Sequence, residues 1–242
     1  MPCNDSSPCR TLALRRPRAP ARGRSWRVRA IAIVVLLGGT NVAMAWQAEA
    51  MSRTAARFGP RVQAGLAPLQ SMLAGLPNVD AGERLRRVNL FFNQRVAYRP
   101  DSEVWGEIDH WASPLEMLDR AAGDCEDFAI AKYLSLVGTG MPVERLRLVY
   151  VRARMGTPGE PAAGSPHMVL AYFARPRADP LILDNLGGRI LPASRRPELW
   201  PVFSFNAYGL WQGVGNIRAG NPLQRLTPWL AVLQRAHAEG FL

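Results

Sequence analysis

Ten consecutive residues, Phe128 to Val137, hold only two clearly polar side chains, Lys132 and Ser135. Asp124, with Asp127 three residues on, gives this run a helix start, and Gly138, Gly140 and Pro142 give it an end. A helix that is apolar on most faces belongs inside a domain, because no orientation offers water a polar side. The rest of the chain must therefore supply layers around it. At its first turn, in the run GDCEDFAIAKYLSL, stands Cys125, flanked by three carboxylates.

The chain's start bears on that cysteine. Residues 1–29 carry eight arginines against one acid, Asp5, and an uncharged stretch from Ala30 to Ala45 ends in Ala43-Met44-Ala45. A basic segment, an apolar core and an A-x-A site read as a secretory signal. The sixteen uncharged residues fall short of the about 20 that a membrane span needs. The expectation is an exported protein, with 1–45 a cleaved signal peptide and 46–242 one domain. Cys3 and Cys9 leave with the signal, so Cys125 remains alone and no internal disulfide can form. The formal charge of +11 loses a net +7 with the leader and falls to +4. That is too modest and too dispersed to bind nucleic acid. The 197 residues left after cleavage suffice for one real core.

Residues 46–80 look helical, with breaks at Pro60, Pro68 and Pro77. Asp80 caps a helix over AGERLRRVNLFFNQ, where Leu85, Val88, Phe91 and Phe92 form an apolar stripe. An acidic connection follows: nine carboxylates lie between Asp101 and Asp127 against one base, Arg120. Ser113 and Glu116 make a capping box with Pro114 at the first helical position, and that helix should stop at Gly123. Past the central helix the period changes. LRLVYVRAR (146–154), HMVLAYFA (167–174) and LILDN (181–185) read as strands, the first two joined flexibly by TPGEPAAGSP. From there to an amphipathic helix around 229–237 no period is clear. Helices first and strands afterwards make an α+β fold, N-terminal helices packed on an antiparallel sheet.

A lone cysteine is more often a buried inert residue than a reactive one. Here a helix N-terminus favours the thiolate, the nucleophilic form, and its free amides can serve an oxyanion. A base must come from three histidines. His237 lies among polar residues near the C-terminus, and His110 in the acidic connection. His167 opens an otherwise apolar strand, where a structural histidine is the default. Asp184 ends another apolar strand, and a carboxylate there is costly unless paired. Neighbouring antiparallel strands could set His167 beside Asp184, completing a Cys125–His167–Asp184 triad on helix, strand and strand. That chain order is the one found in papain-like and transglutaminase-like folds.

Together DHWASPLEML, GDCEDFAIAKYLSL, LRLVYVRAR, HMVLAYF, LDNL and ILPASRRPEL resemble the bacterial transglutaminase-like cysteine proteases, and within them the LapG-type periplasmic proteases. The similarity runs from Trp105 to Phe205, and the family's triad falls on Cys125, His167 and Asp184. The resemblance implies an endoprotease that clips a large repeat adhesin near its N-terminus at a di-alanine site, releasing it in biofilm dispersal. It implies control by an inner-membrane cyclic-di-GMP receptor (LapD-like), and a calcium ion held by Asp124 and Glu126 with Asp127 as a third ligand. The residues themselves give a reason for a cation: adjacent carboxylates raise a thiol's pKa, and hard oxygen ligands suit calcium. Trp111 matches the family as well, as an oxyanion donor through its indole N–H or as an aromatic wall. The reading is a monomeric thiol endopeptidase. Its rivals are a transglutaminase passing the acyl group to an amine and a non-catalytic module that docks on a receptor.

Overall fold

The computed structural model describes residues 46–154 and 164–242, so the expected signal and most of the flexible connection lie outside the described residues. Helices α1 (Ala48–Ala55), α2 (Pro60–Gly75) and α3 (Ala81–Arg95) come first. Pro68, expected as a break, sits inside α2. A proline there costs about 3 kcal/mol. Burying Leu69 and Leu73 on the same helix offsets it at roughly 2 kcal/mol each. Pro60 starts α2 rather than interrupting the chain, and Pro77 falls in a single 3-10 turn, Leu76–Asn78. Asp80 caps α3 as expected, accepting the Glu83 amide at 2.9 Å, and all four stripe residues are buried.

The stretch that leads to the cysteine is built differently from the expectation. After β1 (Ala97–Tyr98) and the short α4 (Asp101–Val104), α5 (Pro114–Arg120) carries the capping box, Glu116 accepting the Ser113 amide at 2.8 Å. It ends three residues earlier than Gly123, because Ala121 turns left-handed at φ 51°. Ala122–Gly123 becomes β2, paired in parallel with β1. A Cβ on Gly123 would lie 2.6 Å from Asp127 Oδ2, so only glycine lets that carboxylate fold back beside the chain.

Helix α6 (Cys125–Gly138) follows, buried from Asp127 to Gly138. The sheet comprises β3 (Leu146–Ala153), β4 (Ser165–Tyr172), β5 (Leu181–Leu183), β6 (Leu191–Pro192), β7 (Leu199–Phe205), β8 (Leu210–Gln212) and β9 (Arg218–Gly220). Their order is β6-β5-β4-β3-β7-β8-β9 with every neighbour antiparallel. Strand β4 lies inside the sheet between β5 and β3, and from Met168 on it is buried on both faces: Met168, Leu170 and Tyr172 join the main core with α6, while Val169 and Ala171 join a smaller cluster with Val149, Val151 and Ile182. Such a strand reads as an unbroken apolar run, as this one does. After α7 (Pro222–Arg225), α8 (Thr227–Ala238) buries Trp229, whose ring meets Tyr133 of α6 and Phe205 of β7, each at 5.4 Å between centroids. The α+β class is the one found, with α6 enclosed between the sheet and the other helices.

Candidate active site

The pairing of β4 with β5 joins His167 and Asp184. His167 is the third residue of β4, opposite Val151, and Asp184 directly follows β5. The His167 Nε2 lies 2.9 Å from Asp184 Oδ1. The same oxygen accepts the Leu186 amide at 3.0 Å, and Oδ2 accepts Arg196 Nη2 at 2.7 Å. The Asp184 side chain is wholly buried. Burial alone would raise its pKa, but the bonds from His167, Arg196 and Leu186 outweigh it and hold the carboxyl well below the usual range. From α3, Asn93 Nδ2 donates to the Asp184 backbone carbonyl at 2.8 Å. The carboxylate is therefore fixed from both sides, ionised, and aimed at the ring.

Cys125 is the first residue of α6. Cys125 packs against the core that Met168, one residue after His167, shares with α6, and the Met168 backbone amide acts in favour of the thiolate. Helix and strand thus bring nucleophile and imidazole-bearing backbone together. Acting against the thiolate, Sγ lies 3.0 Å from Glu126 Oε2. Burial first, then the Glu126 charge and this hydrogen bond, push the thiol far above its ordinary range. Asp101, Asp109, Asp124, Glu126 and Asp127 cluster here, with overlapping sets of carboxylate oxygens within 4.8 Å of one another. Burial, reinforced by Glu126, raises Asp101 and Asp127 and pushes Asp124 up to about 10. The buried Oδ1 atoms of Asp101 and Asp124 have no hydrogen-bond partner. Acids so close, with oxygens left over, lack a positive charge.

A family model for bacterial transglutaminase-like cysteine proteinases matches residues 75–202. The chain belongs to this family. Solved structures of Legionella pneumophila LapG are similar over nearly their full length. The EGTA-treated form has 34% identity and a TM-score of 0.68, covering 79% of this chain and 98% of that one. The calcium-bound form has 35% identity and a TM-score of 0.65, covering 78% and 98%. No curated protein matches the chain. The protein is accordingly a cysteine protease of transglutaminase-like fold.

Within this protease the remaining expected residues are placed as follows. The Trp111 indole N–H donates to Asp109 Oδ1 at 3.0 Å rather than pointing free, and the ring stacks on Phe205 at 5.8 Å. Asp127, expected as a metal ligand, accepts the Ala112 amide at 2.7 Å and the Asp124 amide at 3.3 Å. It therefore braces the start of α6 as well as lining the cluster. His110 stacks on Trp105 at 4.1 Å and its amide is held by Asp101. His237 is exposed and meets the Leu242 carbonyl at 3.1 Å. The sequence reading missed Asp101 and Asp109, which α4 and the turn after it carry into the cluster. Arg196 is a further residue of the site that the sequence reading did not tie to Asp184. The sign it could have used is that Asp184, buried and acidic, needed a cation as well as a histidine.

Proposed function

We propose that this cysteine protease is a calcium-dependent, monomeric endopeptidase working with a Cys125–His167–Asp184 triad. The observation that carries the reading is the buried His167–Asp184 pair at 2.9 Å, with His167 on the strand whose Met168 shares one core with α6, a core against which Cys125 packs. His167 Nδ1, the nitrogen Asp184 does not use, takes the thiol proton as sulfur attacks the scissile carbonyl. The ring then returns that proton to the leaving amine. Water, deprotonated by the same nitrogen, hydrolyses the thioester and releases the acid and free Cys125. Asp184 holds the imidazole in the needed tautomer and balances its charge.

The residues fit a hard cation. The donors clustered beside the thiol are carboxylate oxygens, two of them orphaned, which suits calcium. Asp101, Asp124 and Glu126 would hold it, with Asp109 and Asp127 at the margin. When bound, it would supply positive charge beside a thiol that burial and the Glu126 carboxylate otherwise keep protonated. The calcium-bound LapG form supports the same ion.

The substrate class follows the family likeness: a large repeat adhesin, cut near its N-terminus at a di-alanine site in the periplasm after removal of 1–45. An inner-membrane cyclic-di-GMP receptor would sequester the protease and so govern adhesin release. The test is incubation of residues 46–242 with the N-terminal piece of such an adhesin, read by intact mass. One cut between alanines, abolished by EGTA, restored by calcium and absent in Cys125→Ala, is the expected result. Full cleavage by Cys125→Ala would overturn the triad, and full activity in chelator the metal. Addition of an amine instead of water would make the protein a transferase.

A further inference from the structure

The last turn of α8 carries more polar groups than the end of a helix needs. Gly240 lies at left-handed φ 78° and its amide donates to the His237 carbonyl at 3.1 Å, while the Phe241 amide donates to the Ala236 carbonyl at 2.9 Å. These two bonds close the helix, and the fully buried Phe241 ring anchors it in the core. Neither the Arg235 nor the Glu239 side chain takes part in that closure. Both reach the segment from Trp111 to Glu116 instead. The Arg235 guanidinium donates through Nη2 to the Trp111 carbonyl and through Nε to Glu116 Oε2 at 3.0 Å. Glu239, buried, accepts the Ser113 hydroxyl on Oε1 and the Leu115 amide on Oε2 at 3.2 Å. The capping box already fixes the start of α5, and a buried carboxyl is costly: burial raises this one to about 7.

The other side of the same segment faces the acid cluster. The Trp111 indole donates to Asp109 Oδ1 at 3.0 Å, and the Ala112 amide donates to Asp127 Oδ1 at 2.7 Å. Both bonds lead on to the thiol. Asp109 and Glu126 bring carboxylate oxygens within 4.8 Å of each other, and Glu126 Oε2 lies 3.0 Å from Cys125 Sγ. Asp127 Oδ2 accepts the amide of Asp124, the residue before Cys125, at 3.3 Å. We propose that residues 109–116 are a strap between α8 and the nucleophile, and that Arg235 and Glu239 are positioning residues of the protease centre. They hold the strap from behind, so that Asp109 and Asp127 keep their places beside the first turn of α6. The consequence for turnover rests on the proteolytic reading; the strap itself does not.

The test is Arg235→Met in the 15N-labelled protein, a change that keeps an aliphatic stem and removes both donors. The Trp111 indole signal is assigned by its loss in Trp111→Phe. That of Trp229, six residues before Arg235 on the same helix, is assigned by its loss in Trp229→Phe. The Trp111 signal should move by more than its linewidth while the Trp229 signal stays within its own. The kcat for the adhesin fragment should fall by about tenfold or more, with KM changed less than about twofold. An unmoved Trp111 signal overturns the proposal, since α8 and the strap are then uncoupled. Equal movement of both signals also overturns it, since the whole helix has then shifted. So does native kcat in a folded variant whose Trp111 signal has moved. If Arg235→Met does not fold, the nearly isosteric Glu239→Gln decides by the same signals and the same kcat. If the native protein cleaves nothing, the proteolytic reading fails and the two signals still report the strap.

Discussion

Asp184 and Asp124 each stand beside a reacting group, yet one is surrounded by donors and the other by acids. Asp184 meets an imidazole, a guanidinium and a backbone amide, and its carboxyl is held low. Asp124 meets Glu126, Asp127 and Asp101, keeps an unpartnered oxygen, and is pushed up. The difference teaches that the base side of the site is complete within the polypeptide, whereas the nucleophile side is not. The thiol inherits that deficit through Glu126. Control of such an enzyme has its natural point of entry at the incomplete side.

The largest effect should come from breaking the complete side. Asp184→Asn is expected to fold but to lower kcat by roughly 10⁴, since the ring loses both tautomer and counter-charge. Its pH dependence follows from the depressed carboxyl. A folded pKa below the unfolded one gives stability that is present above the unfolded value of about 3.9 and lost as pH falls through the folded value. Urea unfolding of the native protein should therefore weaken towards acid, and Asp184→Asn should flatten that slope. Arg196→Met should follow in size. Removing one partner of a buried pair leaves the other uncompensated, at about 3–5 kcal/mol, measurable by denaturant midpoint. A variant as stable as the native protein would mean the Arg196 bond is ornamental.

The incomplete side should respond to an ion. Melting curves in calcium and in EGTA should differ, with a stabilisation of about 4 kcal/mol at a thousandfold excess over Kd. Asp101→Asn should abolish most of that difference. Equal melting with and without calcium would erase the contrast between the two sides, since the acids would then be tolerating one another unaided.

What could be read in advance divides along the same line. Asp80, the Ser113–Glu116 box, the apolar run of α6 and the strands around His167 and Asp184 all announce themselves by local spacing, because caps and periodicity act within a few residues. Residues joined only by tertiary folding gave no such sign. Asp101 reaches the cluster through α4 and the β1–β2 pairing, and Arg196 reaches Asp184 across a loop and the short β6. Ala121 turns left-handed where glycine would be expected, so the helix end was misplaced at Gly123. Strands β7 to β9 are interrupted by Pro201, Gly209 and Gly213 and flanked by register shifts, which blurs the alternation that marks a strand.

The smallest predicted effect concerns Trp111, which sits on the border between the two sides. Its ring packs on Phe205 in the core, and its N–H belongs to Asp109 in the acid cluster. An oxyanion donor, when removed, typically costs 10²–10³ in kcat, roughly 3–4 kcal/mol. Trp111→Phe removes the N–H and keeps an aromatic wall. With the donor already engaged by Asp109, the expected loss is less than about tenfold, the size of one neutral hydrogen bond. A hundredfold loss with unchanged KM would mean that the indole leaves Asp109 during turnover. Cation binding would be the reason, since an ion that drew Asp109 Oδ1 to itself would free the indole N–H. Repeating the comparison across a calcium titration separates the cases: a wall gives the same ratio of native to variant kcat at every calcium concentration, and a released donor gives a ratio that grows as the acid cluster fills.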